Sequence, residues 1–208
     1  MKKLFLLGDS ISLHYGPFLK EYLKDDFEIY RKPGKEEALK RIDHAVGGNG
    51  GDSSHVLSYI KERQKANDLD FDIFLFNCGA HDIKRKIPDE KPQVPIDEYE
   101  KNLNEVYEIM ESEGVKCVFI TSTPIFEKEH NELIPGGVKR YSEDVCAYGK
   151  VAVETAKKHN APIIDLYGFT SSLSGEIFQD YAHFDVPTRK LQAAFIAGSL
   201  YGLMQKGL

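Results

Sequence analysis

Short, continuous apolar runs alternate along the chain with longer stretches whose apolar residues recur at helical spacing. Such runs are typical of strands buried on both faces of a parallel sheet. They cover Leu4 to Leu7, Phe27 to Arg31 (the weakest), Ile73 to Phe76, Val115 to Thr121 and Pro162 to Leu166. The helical patterns cover Tyr15 to Lys24, Ser53 to Gln64, Ile96 to Ser112, Tyr141 to His159 and Pro187 to Met204. This alternation predicts an α/β fold, a three-layer α/β/α sandwich around a mainly parallel, five-stranded sheet.

Length and charge limit the classes of partner. The 208 residues suit a single domain spanning 1–208, and the net charge of -6 with scattered basic residues argues against nucleic acid. No apolar stretch reaches the roughly 20 residues of a membrane helix, so we expect no membrane insertion. The run Leu4 to Leu7 is too short for a signal peptide. Because Cys78, Cys117 and Cys146 show no metal-type spacing, we expect a cytoplasmic protein with structural cysteines.

Chemically useful residues follow the predicted strands. Ser10 follows the first strand, His81 and Asp82 follow the third, and Asp180 and His183 precede the last helix. The crevice outside the carboxyl ends of parallel strands is where such folds bind ligands. We therefore expect these side chains to converge at one edge of the sheet.

Three of them suit nucleophilic catalysis. A serine hydroxyl needs a neighbouring base, and the base works best beside a carboxylate that orients it. Ser10, His183 and Asp180 can fill these roles. The Gly47 to Gly51 run can bring backbone N–H groups close to an oxyanion at the start of a helix. The alternative is that this run is only a flexible turn.

Four short blocks in order resemble those of the SGNH, or GDSL, hydrolase superfamily. They are Gly8-Asp9-Ser10, Gly51-Asp52-Ser53-Ser54, Gly79-Ala80-His81-Asp82 and Asp180-Tyr181-Ala182-His183. The resemblance implies a flavodoxin-like sheet, Ser10 as nucleophile, His183 as base and Asp180 as its partner. It also implies oxyanion donors at the backbone N–H groups of Ser10 and Gly51, with Gly50 as the competing position. The mechanism it implies needs no metal and no cofactor.

The third block departs from the family pattern. The family has Gly-x-Asn-Asp there, and the asparagine side chain is a further oxyanion donor, whereas this chain has His81. An imidazole N–H can donate in the same way, and the neighbouring Asp82 is a candidate for setting its protonation. The alternatives are that His81 contacts substrate or that the oxyanion hole is impaired. We further expect Asp9, Asp82 and Gly50 to bind substrate.

The predicted function is that of a serine esterase that hydrolyses a small acyl ester through an acyl-enzyme. Two loops, Lys84 to Pro95 and Pro124 to Lys139, leave the catalytic edge and mix polar with aromatic residues, which favours O-deacetylation of a carbohydrate or similar polar metabolite. We interpret Lys84-Arg85-Lys86 as part of a solvated loop. The alternatives are a broad short-chain arylesterase or thioesterase, and a non-catalytic acyl-sugar binding module.

Overall fold

A computed structural model describes residues 1–42, 44–86, 90–133 and 137–208. The strands in this part of the chain are β1 (Lys2–Leu7), β2 (Phe27–Arg31), β3 (Ile73–Phe76), β4 (Arg85–Lys86), β5 (Lys116–Ile120), β6 (Val138–Lys139) and β7 (Ile163–Ile164). The helices are α1 (Ser10–Leu23), α2 (Lys35–Lys40), α3 (Ser53–Lys65), α4 (Ile96–Ser112), α5 (Glu127–Leu133), α6 (Ser142–Lys158), α7 (Leu166–Ser171) and α8 (Val186–Gln205).

Five of the strands form one parallel sheet in the order β2-β1-β3-β5-β7. Leu4 of β1 lies opposite Ile29 on one side and Ile73 on the other. The order places β3 at the centre with β1 and β5 beside it, and these strands need continuous apolar sequence because both faces of the sheet are covered. The predicted mainly parallel five-stranded sheet is confirmed.

Helices cover both faces of this sheet because successive strand residues point to opposite sides. Phe5 and Phe74 belong to the core cluster that includes residues of α3, α4 and α6. Leu6 and Leu75 belong to the opposite cluster, with residues of α1 and α8. The result is the predicted α/β/α arrangement. Among the described residues, no helix combines the length and apolar character needed to cross a bilayer.

Element boundaries differ from the predictions where capping decides them. Helix α1 starts at Ser10, five residues before the predicted start, because Asp9 Oδ1 accepts a hydrogen bond from Ile11 N at 2.9 Å and caps it. Strand β7 is shorter than predicted because Asp165 caps α7 directly after it.

The two predicted loops contain short elements. Strand β4 lies in the first loop and pairs antiparallel with β6 in the second, which also contains α5. Parts of both predicted loops, including Pro88 and Pro135, lie outside the described residues. The two loops therefore meet through the β4–β6 pair.

Candidate active site

Ser10 lies where β1 gives way to α1. Ser10 is the first residue of the helix, so the Ser10 backbone N–H has no partner within the helix and lies at the positive end of the helix dipole. Gly8 makes this sharp transition possible, because a Cβ there would collide with Asn77 Oδ1 and Ser12. Asp9 is buried and its Oδ1 caps the helix, so a contact of Asp9 with substrate stays a prediction.

Asp180 and His183 share a tight turn before α8. Asp180 Oδ1 accepts hydrogen bonds from the backbone N–H groups of Ala182 at 2.9 Å and His183 at 2.8 Å. The carbonyl of His183 in turn accepts from Gln179 N at 2.7 Å. The carboxylate therefore organises the turn that presents the imidazole.

A continuous hydrogen-bonded chain joins the three side chains. His183 Nε2 lies 2.9 Å from Ser10 Oγ, and His183 Nδ1 lies 2.8 Å from Asp180 Oδ2. Burial alone raises the pKa of Asp180, but hydrogen bonds from the His183 ring and from the two backbone N–H groups outweigh it and lower this pKa to about 2. An ionised carboxylate at Nδ1 favours the tautomer whose Nε2 can accept the hydroxyl proton.

A small cavity of about 20 Å³ opens beside Ser10 and His183. Its further lining residues are Asp9, Ile11, Ala80, His81, Thr123, Ile125, Arg140 and Ala182. This volume holds about one water-sized group. The structure thus brings Ser10, His183 and His81 to the same cavity.

His81 lies in the turn after β3, and its ring is held by a neighbour. Lys84 Nζ lies 2.9 Å from His81 Nδ1, and Lys84 N donates to the His81 carbonyl. Burial, followed by the positive charges of Lys84 and Arg140, lowers the pKa of His81 well below its usual value. The ring is neutral near pH 7.

Asp82 supports the turn instead of facing the cavity. Its side chain is fully buried, Oδ1 accepts from Ser53 N at 2.8 Å, and burial raises its pKa to about 7. The group on His81 Nδ1 is Lys84 and not Asp82, which corrects that expectation. A contact of Asp82 with substrate stays a prediction.

Hydrogen bonds hold the last two residues of the glycine run. Gly50 N donates to the Gly8 carbonyl at 2.9 Å, and Gly51 N donates to Asn49 Oδ1 at 2.9 Å. Gly51 has a φ of 72°, and a Cβ there would lie 2.6 Å from Ala45 Cβ. The N–H of the buried Gly50 is used within the fold, and a contact of Gly50 with substrate stays a prediction. The role of Gly51 as an oxyanion donor stays a prediction.

Sequence reasoning missed two cations of the site. Lys84, expected in a solvated loop, is only 6% exposed. Lys84 follows His81 by three residues in a turn, and this spacing could have indicated that the two side chains are neighbours. Arg140 lines the cavity, and its Nε donates to the Ala80 carbonyl at 2.8 Å. It lies 60 residues from that carbonyl in sequence, so no local pattern marks it.

A larger groove of about 700 Å³ adjoins the small cavity. It shares Ile125 with that cavity and reaches Asp180. The two sides of the groove come from residues 124–129 and 170–180. One side therefore belongs to the second predicted loop, whereas the other, which includes part of α7, was not predicted.

The fold is that of SGNH hydrolases. A model of the family "GDSL-like Lipase/Acylhydrolase" matches residues 4–188, and the chain belongs to this family of ester-hydrolysing enzymes. The alternative of a non-catalytic binding module is thereby set aside.

Individual relatives are distant. A human protein, "Isoamyl acetate-hydrolyzing esterase 1 homolog", is 24% identical over 180 residues, which cover 82% of this chain and 72% of the relative. A lipase/acylhydrolase from Enterococcus faecalis superimposes with a TM-score of 0.70 at 19% identity, covering 97% of this chain and 96% of the other. The acetyl xylan esterase AlAXEase superimposes with a TM-score of 0.68 at 16% identity, covering 95% and 98%.

Proposed function

We propose that the chain is a serine esterase that removes a small acyl group, acetyl above all, from a carbohydrate or similar polar alcohol through an acyl-enzyme. The observation that carries the proposal is the hydrogen-bonded chain from Ser10 through His183 to Asp180, which ends at a cavity large enough only for a small group.

The geometry supports a two-stage reaction. His183 Nε2 takes the proton from Ser10 Oγ as the oxygen attacks the ester carbonyl, whose π electrons move onto its oxygen. When the tetrahedral intermediate collapses, the alcohol leaves with the proton from His183 and the acyl group stays on Ser10. Water then attacks the acyl-enzyme, gives its proton to His183, and a second collapse releases the acid and restores Ser10. Asp180 stays ionised throughout and stabilises the imidazolium.

The oxyanion needs hydrogen-bond donors, and two residues that line the cavity can supply them. They are Ser10, through its backbone N–H at the start of α1, and the neutral His81, through its Nε2–H. Gly51 N–H joins them if its bond to Asn49 Oδ1 is shared or exchanged when substrate binds. Losing one such donor costs about 100- to 1000-fold in kcat. His81→Ala should therefore lower kcat on p-nitrophenyl acetate at least tenfold, and an unchanged kcat would exclude the donor role.

The cavity beside Ser10 favours a short acyl group. A volume of about 20 Å³ accepts an acetyl methyl, whereas a longer chain would have to extend out of it or displace side chains that line it. Two of the similar proteins carry names that refer to acetyl esters, which supports the same choice.

The adjoining groove favours a neutral, polar alcohol. Phe126 is 47% exposed there, and its ring centroid lies 5.9 Å from that of Phe178, so an aromatic surface is available to the apolar face of a sugar. The described lining also includes Glu129, Glu176 and Asp180, with no Lys or Arg. These carboxylates repel anionic substrates, which disfavours phosphate-bearing thioesters.

The test is a panel of p-nitrophenyl esters of increasing chain length, assayed beside acetylated xylo-oligosaccharides. We expect the highest kcat/KM for acetyl esters. Phe126→Ala should raise KM for the acetylated saccharide and leave kcat on p-nitrophenyl acetate within about twofold, because the ring contacts only the alcohol portion. A strong preference for long acyl chains would overturn the acyl assignment. Equal KM values for Phe126→Ala and wild type would overturn the role of the groove.

A further inference from the structure

We propose that Lys84 is a positioning residue that holds His81 as the neutral tautomer with its hydrogen on Nε2, ready to donate to the oxyanion. The inference rests on the proposed function, since it assigns a purpose to the donor in the oxyanion hole. It extends that function to a residue outside the four sequence blocks.

The contact between the two side chains determines which ring nitrogen carries the hydrogen. Lys84 Nζ lies 2.9 Å from His81 Nδ1. An ammonium group has only hydrogens to offer, so Nδ1 must present its lone pair. A neutral imidazole that accepts at Nδ1 carries its hydrogen on Nε2. The lysine therefore selects the donor form at the nitrogen that remains.

Both partners are held firmly enough for this selection to matter. The residue exposures are 3% for His81 and 6% for Lys84. The turn is closed by Ile83 N, which donates to the Gly79 carbonyl at 3.1 Å, and by Lys84 N, which donates to the His81 carbonyl at 3.3 Å. Asp82 ties the same turn to Ser53 N at the start of α3.

The charges around the ring oppose its protonation. Burial lowers the pKa of His81 most, and the positive charges of Lys84 and Arg140, with smaller effects from His55 and His183, lower it further. The nearest carboxylate in sequence, Asp82, is directed to the α3 N-terminus. A protonated ring would also place an Nδ1–H against the ammonium group of Lys84.

The pair compensates for the missing asparagine of the third block. A side-chain amide always presents an N–H, whereas a neutral imidazole presents one at either of two nitrogens. Substituting His81 for asparagine thus creates a need to specify the tautomer and the ring orientation. Lys84 meets both needs through one contact.

The kinetic test compares the effect of Lys84→Met in two backgrounds. In the wild-type background we expect Lys84→Met to lower kcat on p-nitrophenyl acetate about tenfold with little change in KM, since the oxyanion donor is misplaced. Lys84→Arg, which keeps a cationic donor, should recover part of the loss. Lys86→Met, at an exposed lysine of the same run, is the matched control and should leave kcat unchanged. In a His81→Asn background, Lys84→Met should cost less than about threefold.

A spectroscopic test does not depend on activity. Nitrogen-15 NMR of ring-labelled histidine, with the His81 signals assigned by their loss in His81→Asn, should show an unprotonated Nδ1 and a protonated Nε2 from about pH 6 to 8. In Lys84→Met we expect shifts that indicate a mixture of tautomers or a titration in that range. A wild-type ring protonated at Nδ1, or identical shifts in wild type and Lys84→Met, would overturn the proposal.

The outcomes separate this inference from the proposed function. If His81→Ala leaves kcat unchanged, the oxyanion role of His81 fails, whatever Lys84 does to the ring. If His81→Ala is impaired but Lys84→Met costs the same in both backgrounds, only the role of Lys84 fails. The proposal stands if the cost is specific to the histidine background and the NMR signature moves with it.

Discussion

Replacing Asp180 with asparagine should nearly abolish ester hydrolysis without disrupting the turn that carries His183. Asp180 Oδ1 accepts both backbone hydrogen bonds of the turn and lies 2.9 Å from His183 Nδ1, whereas Oδ2 lies 2.8 Å from the same ring nitrogen. The amide oxygen of asparagine can keep the position of Oδ1, where the two backbone N–H groups already occupy it. Its NH₂ group then replaces Oδ2, the nearer of the two oxygens to Nδ1, and donates to that nitrogen.

This replacement reverses the tautomer of the base. With Nδ1 accepting a hydrogen bond, the hydrogen of the neutral ring moves to Nε2, the atom that lies 2.9 Å from Ser10 Oγ. The ring can no longer accept the serine proton. The corresponding loss in a serine protease triad is about 10⁴-fold, so we expect kcat for Asp180→Asn to fall by about 10³- to 10⁴-fold.

The effect on stability should be much smaller. Lowering the pKa of Asp180 from its ordinary value of 3.8 to about 2 corresponds to at most about 2.5 kcal/mol of folding free energy. The side chain is 37% exposed, and solvent screening reduces this to about 1 kcal/mol. Because the folded pKa is the lower one, the stabilisation is present above about pH 4 and is lost as the pH falls toward 2.

Two measurements check the prediction. Hydrolysis of p-nitrophenyl acetate gives kcat, and urea unfolding at neutral pH gives the free energy of unfolding of wild type and Asp180→Asn. If Asp180→Asn kept more than about a tenth of the wild-type kcat, the tautomer argument would be refuted. If its stability fell by several kcal/mol, the loss of activity would reflect unfolding instead.

Three further substitutions test other parts of the structure. Gly51→Ala should lower the free energy of unfolding by about 1 to 3 kcal/mol, because φ of Gly51 is 72° and the new Cβ would collide with the Cβ of Ala45. Urea unfolding measures this change, and a variant as stable as wild type would contradict it. Asp52→Ala removes the N-cap of α3, whose Oδ1 accepts a hydrogen bond from His55 N at 2.9 Å. We expect the free energy of unfolding to fall by about 1 kcal/mol, measured by thermal unfolding, and an unchanged Tm would contradict this. Phe126→Trp keeps an aromatic surface in the groove and should hold KM for the acetylated saccharide within about threefold of wild type, whereas a KM as high as that of Phe126→Ala would contradict an aromatic contact.

The sheet could be predicted from sequence because its chemistry is local. Four-residue apolar runs such as Ile73–Phe76, alternating with longer helical patterns, indicate strands covered on both faces, and the residues after each parallel strand lie at one edge of the sheet. Ser10 and His183 could therefore be placed near each other although 173 positions separate them.

The surroundings of the site could not be predicted because they depend on tertiary packing. Whether Lys84 faces solvent or His81 is decided by how tightly the turn after β3 closes, and the three-residue spacing from His81 permits the contact without deciding it. The inward direction of Asp82 likewise depends on Ser53 N, 29 residues away, lying at the start of a packed helix. Arg140 and Ala80 lie 60 residues apart, so no helical or strand periodicity in the sequence predicts the hydrogen bond between them.

Active-site labelling of Ser10 tests the central claim most directly. The account predicts that a fluorophosphonate probe forms one adduct, which mass spectrometry locates on Ser10, and that Ser10→Ala prevents both labelling and ester hydrolysis. An unlabelled Ser10 in folded protein, or a Ser10→Ala variant that hydrolyses p-nitrophenyl acetate at the wild-type rate, would contradict it.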